Sequence, residues 1–238
     1  MQSTEYAILV PVFNESDALS FSKFYFDRLN VRPIYVLDSK KIERRDEVER
    51  IVGAQVLIYD NPGLVAESNF EKFAKLSPAD WILRIDCDEA PTLAMLEHAQ
   101  NFVKGGRGTV KGYDRRQMRW HEGRFQAVKQ RPYKDVQYRL FDRRKVRFVQ
   151  KIHTPGYAIP IMDSWPAPRR ARFFHLQFVF ETAEQRKIKE DRYNKALGRD
   201  VDLSTWAARD LDDYTWEELP DPVLTSAYRY WLQAGLLL

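Results

Sequence analysis

The chain has 238 residues, of which 44% are hydrophobic and 30% charged. That is enough for one large globular domain with a sizeable core, and it excludes a disordered or low-complexity polymer. Its single cysteine, Cys87, excludes an internal disulfide and a cysteine-built zinc site, and fits a reducing compartment. The net charge of +4 conceals an asymmetry: 16 Lys or Arg against 4 Asp or Glu lie between Lys104 and His153, so the remainder is acidic.

In chain order, four short apolar runs fill the first ninety residues: 6–13, 33–38, 54–60 and 80–86. Each is rich in Ile, Val, Leu and Tyr without clean alternation, as in strands buried on both faces of a parallel sheet. Helical spacing fills the gaps over 16–29, 42–53 and 63–76, with Ser16 as an N-cap and Gly53 as a stop. Strand, helix, strand, repeated, predicts a doubly wound, mostly parallel α/β layer with right-handed crossovers. A further helix is expected over 92–103. Past the turn "KGGRG", strand-like pieces at 109–120, 136–142, 146–153 and 170–180 have an antiparallel texture. A charged helix over 181–197 follows. The tail from Val201, carrying Trp206, Trp216, Tyr228, Tyr230 and Trp231, is expected to wrap back on the body. One domain in three parts results: 1–103, a second half at 104–197, and a helical tail at 198–238.

The N-terminus lacks the basic and apolar regions of a signal peptide, and no run reaches the roughly 20 apolar residues of a membrane span. The closing "AYRYWLQAGLLL" reads as a helix docking on the core; an interfacial membrane helix and the cut end of a longer chain are the other readings.

The segment "DWILRIDCDEAP" (80–91) runs from an apolar strand straight into Asp86, Cys87, Asp88 and Glu89. Three carboxylates in four positions repel one another unless water, a cation or basic side chains compensate them. In an open α/β sheet this strand end faces the ligand crevice. Asp86 and Asp88, two apart in an extended segment, are expected on one side with Cys87 on the other. Two hard oxygen ligands suit Mg2+ or Mn2+ held together with substrate phosphate oxygens; a solvated helix-capping turn is the plain alternative. The first strand ends similarly at Asn14 and Glu15, and the second at Asp38. Backbone groups near Val12 could meet a base edge, while Glu15 and Asp38 accept from ribose hydroxyls or a base N–H. No GxGxxG follows the first strand and no GxxxxGK[ST] occurs, which disfavours dinucleotide and P-loop chemistry.

"ILVPVFNE", "VLDS" and "ADWILRIDCDEAP", followed by "YRLFDRRKVRFVQKIH" (138–153), "FFHLQF" and "RKIKEDRYNKAL", resemble the motif order of family 2 glycosyltransferases of the GT-A type over about residues 5–197. The resemblance implies transfer of a sugar from a nucleotide-diphosphate donor, UDP-sugar favoured over GDP-sugar, to a glycan or lipid-linked acceptor with Mn2+ or Mg2+. It implies that Pro11, Val12, Asn14, Glu15 and Asp38 hold base and ribose, that Asp86 lies near ribose or metal, and that Asp88 binds the metal. His175 in its apolar strand is a core histidine or, as the resemblance implies, a further metal ligand; His153 is the second such candidate. The chain departs from the pattern at Glu67 and Ser68, where relatives often carry arginine, and at Thr154, where many carry glutamate.

His98 is expected at the surface, and Cys87 in packing. Asp114, His121 and Glu122 are the candidates for a base that takes the acceptor's proton. The belt of Arg115, Arg116, Arg119, Arg124, Lys129, Arg131, Lys134, Arg139, Arg143, Arg144, Lys145, Arg147 and Lys151 has three readings: a solvated face, a site for an acidic acceptor or the donor diphosphate, and a nucleic-acid groove, the least favoured. The alternative to an enzyme is therefore a catalytically inactive GT-A-like protein holding nucleic acid or another polyanion. A haloacid-dehalogenase phosphatase fits less well, because its nucleophilic Asp belongs where this chain has Asn14 and Glu15. The expected location is the cytoplasm, with peripheral attachment to a membrane left open.

Overall fold

The computed structural model describes residues 6–13, 16–61, 70–106, 108–129, 135–149, 155–160, 165–197 and 214–235. The apolar runs become β1 (Tyr6–Val12), β2 (Ile34–Asp38), β3 (Leu57–Tyr59) and β4 (Trp81–Arg84), all parallel in the order β4-β1-β2-β3. Leu9, Val10, Leu37, Ile82 and Leu83 are fully buried, since both faces of this layer are covered. On one face lie α1 (Ser16–Arg28), α2 (Arg45–Val52) and α4 (Leu93–Lys104); on the other lies α3 (Phe70–Lys75), whose Phe70 and Phe73 pack on Leu9, Val36 and Ile82. A 3-10 segment, Ser39–Arg44, leads into α2, which stops where Gly53 turns left-handed at φ 63 and returns its N–H to Glu49. Thr92 caps α4 by accepting from the Met95 N–H at 3.2 Å.

The second half of the chain extends the same sheet. β8 (Val136–Asp142) runs antiparallel beside β4, followed outward by the hairpin of β6 (Val110–His121) and β7 (Arg124–Val128), and then β10 (Trp216–Glu218). Two short strands lie off this path. β5 (Glu89–Pro91) pairs antiparallel with β9 (Arg172–His175), and β9 pairs parallel with β6. The described residues thus form a ten-stranded α/β sheet flanked by helices. α5 (Gln177–Phe180) and α6 (Ala183–Leu197) follow β9, and α7 (Pro222–Gln233) closes the order. Asp221 caps α7 at the Leu224 N–H, and Leu224, Ala227, Tyr228 and Trp231 bury against Phe21, Tyr25 and Phe125.

Some expectations change. The single strand over 170–180 divides at His175, because the Leu176 N–H bonds to the Asp88 carbonyl at 2.7 Å and the chain then coils into α5. The strand over 146–153 is reduced, in its described part, to a bridge between Phe148 and Tyr157. β5, β7 and β10 are three short strands that the pattern of the sequence did not announce. The first part of the helix at 63–76 lies outside the described residues. Among the described residues no helix is long and apolar enough to cross a membrane.

A candidate active site at the end of the parallel strands

β4 ends where the Ile85 N–H makes a bond to the Leu9 carbonyl at 3.1 Å; a tight turn then joins the Glu89 N–H to the Asp86 carbonyl at 2.9 Å. This turn corrects the expectation that Asp86 and Asp88 share a side. Two-residue alternation holds only in extended backbone, and here the two carboxylates diverge. Asp86 takes Arg84 Nε on Oδ1 at 2.8 Å and Arg139 Nη2 on Oδ2 at 3.0 Å. The same Arg139 nitrogen donates to Glu89 Oε1, while Glu89 Oε2 accepts from the Asp86 N–H at 2.9 Å. Asp88 Oδ2 instead faces His175 Nε2 at 3.1 Å and Lys189 Nζ at 3.8 Å.

Three carboxylates are therefore met by Arg84, Arg139 and Lys189, with His175 beside them. The protein's own basic side chains compensate the acidic run. Burial works to raise the Asp86 carboxyl, but the guanidinium groups of Arg139 and Arg84 outweigh it and hold the pKa at about 2. Burial is likewise outweighed at Asp88, by His175 and Lys189, and its pKa lies well below the ordinary range. At Glu89, whose side chain is fully buried, burial wins over Arg139 and pushes the pKa up.

His175 stands in the middle of one row. Register places it opposite Glu89 on β5 and opposite Gln117 on β6. Its Nδ1 lies 2.8 Å from Gln117 Oε1, so the ring is gripped at both nitrogens. Asp88 Oδ2 and His175 Nε2 are separated by the spacing of neighbouring donors on an octahedral ion with bonds of about 2.1 Å, and a carboxylate with an imidazole suits Mn2+. Among the described residues no third His, Cys, Asp or Glu joins them in a metal-binding group. The remaining positions would fall to water and substrate oxygens, as is common for such ions. Asp86, with both oxygens on arginines, is turned to anchoring the loop.

The other candidates scatter. Asp38 caps the 3-10 segment through the Lys40 N–H at 2.9 Å and accepts from Asn61 Nδ2 at 2.7 Å. Val12 is buried in the core and Pro11 is half-buried on β1, so backbone atoms are what they bring to the rim. Asn14, Glu15, Glu67, Ser68, His153 and Thr154 lie outside the described residues. Asp114 is buried on β6 three residues before Gln117, hence on the opposite face. His121 and Glu122 stand at the exposed β6–β7 turn, with His121 about 13 Å along the strand from Gln117. None of the three base candidates sits beside Asp88. His98 is not a surface residue but half-buried, with Nδ1 3.4 Å from the Tyr113 hydroxyl; burial, helped by Lys111 and Arg170, lowers its pKa. Cys87 packs in the core as expected.

Among the described residues, six members of the basic belt besides Arg139 are paired: Arg115 with Asp135, Arg116 with Glu217, Arg124 with Glu218, Arg143 with Asp80, and Arg144 and Lys145 with Asp142; Arg131, Lys134 and Lys151 lie outside the described residues. Arg119 lies over the Trp216 ring at 4.2 Å. Sequence reasoning missed Gln117, Arg84 and Lys189 and placed Arg139 in the belt. Only Arg84 left a signal, a charge inside the apolar run "WILRID".

No protein-family model matches the chain, and no curated protein matches it. Among solved structures it is similar to TarS of S. aureus at 11% identity and a TM-score of 0.41, over 84% of this chain and 41% of that one. It is similar to HddC of Yersinia pseudotuberculosis, complexed with GMP-PN, at 11% identity and 0.43, over 81% and 98% of the two chains. The third is the inositol-1-phosphate CTP transferase of T. maritima, at 11% identity and 0.38, over 97% and 95%. The chain thus spans less than half of the TarS chain. A likeness this loose carries no weight for the chemistry.

Proposed function

We propose that the protein is a transferase acting on a nucleotide-diphosphate sugar, with Asp88 and His175 as the protein's ligands for a divalent cation. The observation that carries this reading is the facing pair Asp88 Oδ2 and His175 Nε2, 3.1 Å apart at the end of the parallel strands, where ligands bind in open α/β sheets. The cation, when bound, supplies Lewis-acid stabilisation of charge on the leaving nucleoside diphosphate. The chain's own residues do the rest. Arg84, Arg139 and Glu89 fix the loop that carries Asp88. Lys189, held between Asp88 and Glu181, adds positive charge beside the seat. A glycan or lipid-linked hydroxyl is the acceptor of this reading, and a UDP-sugar is the favoured donor.

The polyanion-binding reading is weakened by the pairing of the belt, because an arginine already neutralised by a carboxylate releases fewer counterions on meeting a phosphate backbone. Isothermal titration of UDP and of GDP, with and without Mn2+, tests the proposal. Mn2+-dependent binding of one nucleotide is expected in the wild type and not in Asp88→Ala. Failure of both nucleotides to bind the wild type removes the reading.

A further inference from the structure

Gln117 has no part in the transfer step, yet it is buried and its amide oxygen lies 2.8 Å from His175 Nδ1. An amide oxygen only accepts hydrogen bonds, so the proton between these atoms belongs to the imidazole. With Nδ1 protonated, a neutral ring carries its lone pair on Nε2, and Nε2 points at Asp88 Oδ2 from 3.1 Å. Two electron-rich atoms then face each other, an arrangement that calls for a positive centre between them: a second ring proton or a metal ion. The ring has little freedom to escape. His175 is paired with Glu89 on one side and Gln117 on the other, and the next N–H, from Leu176, is bonded to the Asp88 carbonyl at 2.7 Å.

We infer that Gln117 is a positioning residue: by holding the His175 proton on Nδ1 it presents Nε2 toward Asp88 as a donor atom for a first-row divalent cation such as Mn2+. A partner that accepts from the far nitrogen of a ligating histidine fixes the tautomer and ring orientation and raises its basicity. One imidazole beside one carboxylate favours Mn2+ over Mg2+, which prefers an all-oxygen shell. Without the amide oxygen, the ring would gain most by moving its proton to Nε2 and donating it to Asp88, and that tautomer cannot ligate. The inference rests on the transferase reading only for what the cation does once bound.

The wild-type chain, free of metal and labelled with 15N-histidine, gives the first test. The His175 signals are identified by their loss in His175→Gln. A proton on Nδ1, with or without one on Nε2, is expected; a ring protonated on Nε2 alone overturns the inference. The second test is Mn2+ binding by calorimetry in variants whose melting curves show them folded. Gln117→Met is expected to bind Mn2+ about 10–100-fold more weakly, while Gln117→Glu, which keeps an acceptor at the same reach, stays near wild type. Equal affinity in Gln117→Met and wild type overturns the positioning role, and a wild type that binds no Mn2+ overturns the donor-atom role. Mn2+ bound with the expected dependence on Gln117 but no nucleotide bound defeats the transferase reading and upholds this one.

Discussion

Arg139→Met tests how the acidic turn is held together. Arg139 is 7% exposed, and its Nη2 serves both Asp86 Oδ2 and Glu89 Oε1. Removing one member of a buried ion pair costs about 3–5 kcal/mol, because the partner is left as an uncompensated charge. Arg84 still holds Asp86 Oδ1 at 2.8 Å, so the lower end, about 3 kcal/mol, applies. At about 2–4 °C per kcal/mol for a chain of this size, the melting temperature falls by about 6–12 °C. Most of the loss falls on Glu89, whose fully buried carboxyl already has a raised pKa and rises further once the guanidinium is gone. A carboxyl whose folded pKa exceeds its unfolded value stabilises the fold below the unfolded value, about 4.3, and loses that contribution as pH rises through the folded one. The deficit of Arg139→Met against wild type is therefore smallest below about pH 4.3 and grows as pH rises above that value. Adding Glu89→Gln, which removes the stranded charge, should restore more than half of it. Urea unfolding followed by tryptophan fluorescence reads all of this. A variant within about 0.5 kcal/mol of wild type at pH 8, or no recovery on adding Glu89→Gln, would refute the reasoning.

Asp86, with a pKa of about 2, and Asp88, lower still, have folded values below their unfolded ones. Their contribution is fully present above about pH 4 and is lost as pH falls toward 2, so stability measured by circular dichroism should decline over that window; a flat profile there contradicts the ion-pair account. Lys189→Met should tighten Mn2+ binding about tenfold, since an ammonium about 4 Å from Asp88 repels and competes with the ion by about 1–4 kcal/mol depending on solvent. Calorimetry showing unchanged affinity would mean that the ammonium does not compete. Trp231→Ala should lose about 3–5 kcal/mol, because Trp231 is fully buried under α1 with its indole N–H on Ser20 Oγ at 3.2 Å; a loss below about 1 kcal/mol would show that α7 is not docked as described.

The parallel half of the fold was legible because it rests on local pattern. Runs such as "YAILVPVF" and "DWILRID" are apolar throughout, and a short strand of that kind is stable only when covered on both faces. The place of the acidic run at the end of a buried strand was legible as well, since a charge run there has few comfortable positions, but its turn was not. β5, β7 and β10 were not, because their segments, Glu89–Pro91, Arg124–Val128 and Trp216–Glu218, mix charged or polar residues with apolar ones, and a short strand without an apolar run owes its existence to its partners. The site shows the same division. Asp88 and His175 could each be singled out from the chain, but they are 87 positions apart and only the β5–β9 ladder sets them 3.1 Å from each other. Gln117 and Arg139 looked like ordinary members of a polar, basic stretch, and pairing turned one toward an imidazole and the other toward two carboxylates. By itself the sequence determined where the parallel strands run and which strand end gathers charge, because burial and alternation act over a few residues. Which carboxylate meets arginine and which meets histidine was decided by the tertiary structure alone, because a turn at 87–88 reverses the facing that extended backbone would have imposed.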